Sequence, residues 1–144
     1  MPNLTSKLLP KIKSHRLPDI DLGDDFIYPN YDGLSILNIP SSICQLLDIP
    51  PVGAPPLTSE ILSPLGDGIR NIILILMDAL ALHRLQEWMA DDKDMIWNHL
   101  LEDGLLAPLT SISPSTTSSA LTSLWTGCSP AQHGIAGYEQ WLKE

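Results

Sequence analysis

Asp78 and the hydroxyl run Ser115-Thr116-Thr117-Ser118-Ser119 are the residues of this 144-residue chain best suited to chemistry. Asp78 follows the apolar run at residues 71–77, NIILILM. A carboxylate at the C-terminal end of a buried strand stands where open α/β sheets place functional groups, and it can hold a divalent cation. It can equally cap the first turn of the helix that follows. A threonine hydroxyl is a weak nucleophile at neutral pH and needs a base or a metal ion. No Ser-His-Asp arrangement can be assigned, so a cation on Asp78 and on the Thr117 oxygen is the better physical route. Amides at a helix start, that of Ser118 among them, would stabilise charge on transferring phosphoryl oxygens. Serine and threonine are also ordinary caps and turn formers, so the cluster alone leaves both readings open. The glycine-rich segment and lysine of a Walker loop are missing.

The elements that must position these groups follow from the hydrophobic pattern. Residues 71–77 read as a central strand covered on both faces. Residues 79–89 continue at helical spacing, with Leu82, Leu85 and Met89 in one stripe. A second helix is expected from about residue 93 to 102, with Gly104 placed to end it. Residues 105–112 look like another strand, and Pro108 suggests an edge or a bulge. Residues 114–117 turn into a helix over 118–125, closed by Gly127. Strand–helix–helix–strand–helix predicts an α/β fold: a layered, mostly parallel sheet with flanking helices.

Ten of the 13 prolines precede residue 65, so composition divides the chain into a Pro-rich N-terminal extension, 1–66, and a second part, 67–144. In the extension Ser41 and Ser42 can cap a short helix presenting Ile43, Leu46 and Leu47 on one face. Residues 50–56, PPVGAPP, read as an extended connector. Asp19, Asp21, Asp24 and Asp25 lack calcium-loop spacing and read as a solvated surface. The hydrophobic fraction of 44% against 17% charged residues excludes general disorder. A net charge of −9 argues against nucleic acid or an anionic membrane as partner, because both would repel it. Small phosphate esters stay open, since a metal ion inverts the local field. Cys44 and Cys128 have no ligand spacing and read as small buried residues. No signal-like or membrane-spanning run is visible, so a soluble, cytoplasmic protein is the default. His133, after Pro130 and before Gly134, invites assignment as a metal ligand, but it reads more simply as a turn residue whose ring supports neighbouring backbone. Trp88, Trp97, Trp125 and Trp141 read as core or helix-face residues.

Three segments taken together, residues 72–79 (IILILMDA), 114–127 (PSTTSSALTSLWTG) and 130–137 (PAQHGIAG), resemble the alkaline phosphatase superfamily, specifically its type I phosphodiesterase/nucleotide pyrophosphatase branch. The resemblance covers about half of the chain. It implies an alkaline-phosphatase-like sheet and hydrolysis of phosphate esters, phosphodiester or nucleotide pyrophosphate. It implies two divalent metal ions, zinc in that branch, with Asp78 binding one. Thr117, third after Pro114, becomes the nucleophile and a metal ligand, passing through a phosphothreonine. Ser118 is placed against the substrate, as is Tyr138, which stands where many nucleotide pyrophosphatases carry an asparagine. The remaining metal ligands of that branch lie further downstream, so the chain reads as the N-terminal part of a catalytic domain with an incomplete site, inactive alone. A phosphonate hydrolase or phosphomutase of the same superfamily shares this logic. The competing reading is a non-catalytic binding module that keeps the first half of the fold. The oligomeric state is left open.

Overall fold

The strongest burial in the protein lies where sequence periodicity is weakest, in the proline-rich first half. A computed structural model describes residues 3–139. In chain order it contains α1 (Thr5–Ser14), a 3₁₀ turn (Ile36–Asn38), α2 (Ile39–Leu46), α3 (Ser59–Leu62) and a second 3₁₀ turn (Ser63–Leu65). These are followed by α4 (Leu82–Asp91), α5 (Ile96–Asp103), α6 (Thr117–Thr126) and α7 (Pro130–His133). Trp141 lies outside the described residues.

The core is built from Leu8 and Ile12 of α1, Leu34, and Ile61 of α3, with Leu4, Leu57, Leu105, Ala107 and Leu109 packed against them. Residues 1–66 therefore share one core with the segment that leads to the hydroxyl cluster. Lys7 and Lys11 of α1 hold Glu60 of α3 at 3.0 and 2.6 Å. The hydrogen bond from Lys11, then that from Lys7, keeps the Glu60 carboxyl below its ordinary value.

The expected parallel sheet is not formed among the described residues. Segment 105–112 makes two isolated parallel bridges, Leu106 with Asn3 and Thr110 with Ser35. Leu4 N–H donates to the Leu106 carbonyl at 2.8 Å, and Ile36 N–H to the Thr110 carbonyl at 3.0 Å. Residues 71–77 are neither strand nor helix, and Ile73 and Ile75 are 87% and 77% exposed. The physical reason is that a strand exists only through its neighbour. An apolar run states a demand for burial, whereas a ladder also needs a second backbone in register.

The helices follow the sequence more closely. Gly104 is the C-cap of α5, and Gly127 ends α6 with a left-handed φ of 67°. The first helix after Asp78 starts later than the periodicity suggests, at Leu82 with Ala81 as its N-cap. The other shift is in α2. Ser41 and Ser42 lie inside it and are buried, while Ile43, Leu46 and Leu47 are only half-buried. Ser35 instead caps the preceding 3₁₀ turn, and Pro40 sits in the first turn of α2. Ser42 Oγ donates to the Asn38 carbonyl at 2.6 Å and accepts the Leu57 N–H at 2.8 Å, and α6 packs against the 3₁₀ turn and α2. The buried residues of α6 are Ser119, Ser123 and Leu124.

Cys44 is buried, Cys128 is half-buried, and both are free. Trp125 is 78% exposed on the outer side of α6. Asp19, Asp21, Asp24 and Asp25 are exposed, with Asp24 paired to Arg16 at 3.0 Å. No helix of the described residues is long and apolar enough to cross a membrane.

Two outcomes follow from this packing. Leu8→Ala empties a fully buried position and is expected to cost about 3 kcal/mol in urea unfolding; a loss within error would place the core elsewhere. A carboxylate held below its unfolded-state pKa adds stability above that pKa and loses it as pH falls through the folded value. Unfolding midpoints should therefore drop on acidification, and Glu60→Gln should flatten that acid limb; an unchanged limb would remove the α1–α3 ion pairs as a source of stability.

Candidate active site

Asp78 leaves the extended run 71–77 in a turn, and Ala79 after it has a φ of 59°. This left-handed region costs a residue with a Cβ roughly 1–2 kcal/mol. The turn is held by the Ala79 N–H, which donates to Asp78 Oδ1 at 2.8 Å. The second carboxylate oxygen, Oδ2, accepts from Thr117 Oγ1 at 3.3 Å. Asp78 is exposed, and the N-cap of the helix that follows is Ala81 rather than Asp78. It holds the hydroxyl of the first residue of α6 from a position 39 residues earlier in the chain.

The start of α6 is open to an anion. Thr116 is the N-cap but makes no side-chain cap. Its Oγ1 donates instead to the Ala136 carbonyl at 3.1 Å. The first-turn amides keep their partial positive charge directed out of the helix, beside the Thr117 hydroxyl.

His133 fixes the turn that supplies Ala136. The Ile135 N–H donates to His133 Nδ1 at 3.0 Å, so the neutral ring carries its proton on Nε2. That Nε2 lies 3.1 Å from the Oγ of Ser123, a fully buried residue, and donates to it. Both ring nitrogens are engaged, and the histidine serves as the turn residue that its sequence context suggests.

Asp78 and Thr117 line a cavity of about 580 Å³ with Ser111 and Ser115, beside apolar residues such as Met77 and Leu121. Ser118 and Tyr138 do not line it. The Ser118 hydroxyl sits 3.5 Å from Thr116 Oγ1, and Tyr138 is 78% exposed. The structure thus brings together the first two of the four residues singled out by sequence. The contact between Thr116 and Ala136 escaped sequence reasoning, because a side chain reaching a backbone carbonyl 20 residues away leaves no local pattern. The signal that pointed nearest was Gly134, whose φ of 76° closes α7 and directs the chain back to α6.

A zinc ion takes four tetrahedral ligands at about 2.0 Å, which places adjacent oxygens roughly 3.3 Å apart. Asp78 Oδ2 and Thr117 Oγ1 match that separation and fit as two of the four donors. Among the described residues no group of three His, Cys, Asp or Glu side chains converges to complete the set.

The profile of the family "Type I phosphodiesterase / nucleotide pyrophosphatase" matches residues 72–144, a stretch that includes Asp78, Thr117, Ser123 and His133. The chain belongs to the type I phosphodiesterase/nucleotide pyrophosphatase family. No curated protein and no solved structure matches it.

His133→Ala leaves the buried Ser123 hydroxyl without its partner and is expected to cost about 1–2 kcal/mol in denaturant unfolding. Combined with Ser123→Ala the two losses should fall short of additive. Strict additivity would mean that the ring and the hydroxyl act independently.

Proposed function

We propose that this chain carries the nucleophile of a hydrolase acting on phosphodiesters or nucleotide pyrophosphates. The observation that carries the proposal is the 3.3 Å contact between Thr117 Oγ1 and Asp78 Oδ2 at the uncapped start of α6, inside the family-matched segment. Thr117 Oγ attacks phosphorus in line with the departing ester oxygen. One P–O bond forms as the other breaks, and the leaving oxygen departs with the bonding electrons and takes up a proton. The Thr117 proton is directed at Asp78 Oδ2, its hydrogen-bond acceptor. Water then attacks the phosphothreonine and returns the threonine hydroxyl with release of phosphate or its monoester.

The site must attract an anion in a chain of net charge −9. The amides at the start of α6 supply a local positive pole for the phosphoryl oxygens, and their worth rises as the charge on those oxygens grows. Divalent ions, zinc in this reading, would supply Lewis-acid stabilisation of the attacking and leaving oxygens when bound. Asp78 and Thr117 are the residues here that would hold one of them. A second reading, a module that binds phosphate esters without turning them over, rests on the same helix start with no side-chain cap.

The test is hydrolysis of bis(p-nitrophenyl) phosphate and p-nitrophenyl phosphate by the protein as its source makes it. Thr117→Ala is expected to lower kcat about 10³-fold or more, and Asp78→Asn about 10²-fold, each with its fold retained. Hydrolysis that survives Thr117→Ala sinks the nucleophile assignment. Binding of the diester without turnover would select the second reading.

A further inference from the structure

The family match begins at residue 72, yet the helix that carries Thr117 is gripped by residues well upstream of it. The C-cap of α6 is Gly127, with φ 67° and ψ 12°, and its N–H closes the helix on the Ser123 carbonyl at 2.8 Å. Its own carbonyl accepts the Ala54 N–H at 2.7 Å. Ala54 belongs to the proline-rich connector, residues 50–56, and the approach is close on both sides. A Cβ on Gly53 would stand 2.2 Å from the Gly127 oxygen, and a Cβ on Gly127 would stand 2.8 Å from the Val52 oxygen. Gly53 also has a φ of 67°. Two glycine backbones thus lie against each other at a separation that no side chain permits.

The connector is itself anchored. Asn38 Nδ2 donates to the Pro55 carbonyl at 2.8 Å and to the Tyr31 carbonyl at 2.8 Å. The Leu57 N–H donates to Ser42 Oγ at 2.8 Å. Asn38 ends the 3₁₀ turn and Ser42 lies in α2, the two elements that pack along α6. Four prolines in the seven connector residues restrict its backbone before folding, so little further ordering is needed to make it a strut.

We propose that residues 35–57 are a clamp that sets the position of α6, and that Gly53 is a positioning residue for the Thr117 nucleophile. A helix transmits an axial displacement along its whole length, because each turn is hydrogen-bonded to the next. Pushing Gly127 away from Gly53 therefore moves Thr117 at the other end, against Asp78, which sits on a separate segment. A shift near 1 Å opens the 3.3 Å Thr117–Asp78 contact, and misplacement on that scale costs about 10²-fold in rate. The inference rests on the reading of Thr117 as nucleophile.

Gly53→Ala is the test, with Gly23→Ala as its control. Gly23 has a φ of 89° and nothing within 4 Å of an added Cβ, so that change brings backbone strain without a collision. In diester hydrolysis Gly53→Ala should lower kcat roughly tenfold or more, with KM within about twofold, while Gly23→Ala keeps the unaltered kcat. Hydrogen exchange on the unaltered protein adds a readout free of catalysis. The Ala54 amide should be protected to the same degree as the Gly127 amide. Full kcat in Gly53→Ala, beside loss of activity in Thr117→Ala, would overturn the clamp and leave the hydrolase reading standing. Free exchange at Ala54 beside a protected α6 would overturn it whether or not Gly53→Ala folds. Absence of any hydrolysis in the unaltered protein would instead remove the hydrolase reading, and the exchange result alone would then decide whether the connector grips α6.

Discussion

Burial of Leu105, Ala107 and Leu109 against Leu8, Ile12, Leu34 and Ile61 is the constraint on which the rest of the structure depends. These contacts join the two compositional halves of the chain into one core. Once segment 105–109 is pinned, Thr110 bridges Ser35, and the chain is delivered within a few residues to the start of α6. The location of Thr117 is thus a consequence of apolar packing made largely by residues outside the family-matched segment. Without that packing the hydroxyl cluster would be a polar surface run with no fixed partner.

Against this scaffold the site uses few polar contacts, each doing a distinct job. Asp78 uses one oxygen to hold its own turn and the other to hold the Thr117 hydroxyl. Thr116 gives up the ordinary role of an N-cap hydroxyl and binds Ala136, which leaves the first-turn amides available. His133 then stabilises the loop that presents Ala136 by holding Ile135 and Ser123 at once. The left-handed φ at Ala79 is a backbone cost at the site, and the Asp78–Ala79 hydrogen bond offsets part of it.

Legibility differed by interaction range. The ends of α5 and α6 were readable because Gly104 and Gly127 act within one turn of their own position. The pairing of Asp78 with Thr117 was readable as an expectation because the three resembling segments occur in order. The parallel sheet was the main error. Residues 71–77 have strand composition, but composition cannot report whether another backbone lies alongside them. The buried face of α2 was assigned to its leucines and isoleucine for a related reason: hydropathy ranks side chains, whereas Ser41 and Ser42 are buried and Ser42 is hydrogen-bonded to Asn38 and Leu57.

What the sequence by itself determined was therefore local and chemical: where helices stop, which hydroxyl follows which proline, and which carboxylate ends the apolar run. Family membership belongs with these, because it rests on motif order. Tertiary structure alone decided that the proline-rich half builds the core, that Thr116 reaches Ala136, and that Gly53 meets Gly127. The physical reason is that helix caps and turns are set by a residue's own backbone preferences and nearest hydrogen bonds. Contacts between residues 20 to 103 positions apart depend on summed burial over the whole chain, which no window of sequence contains.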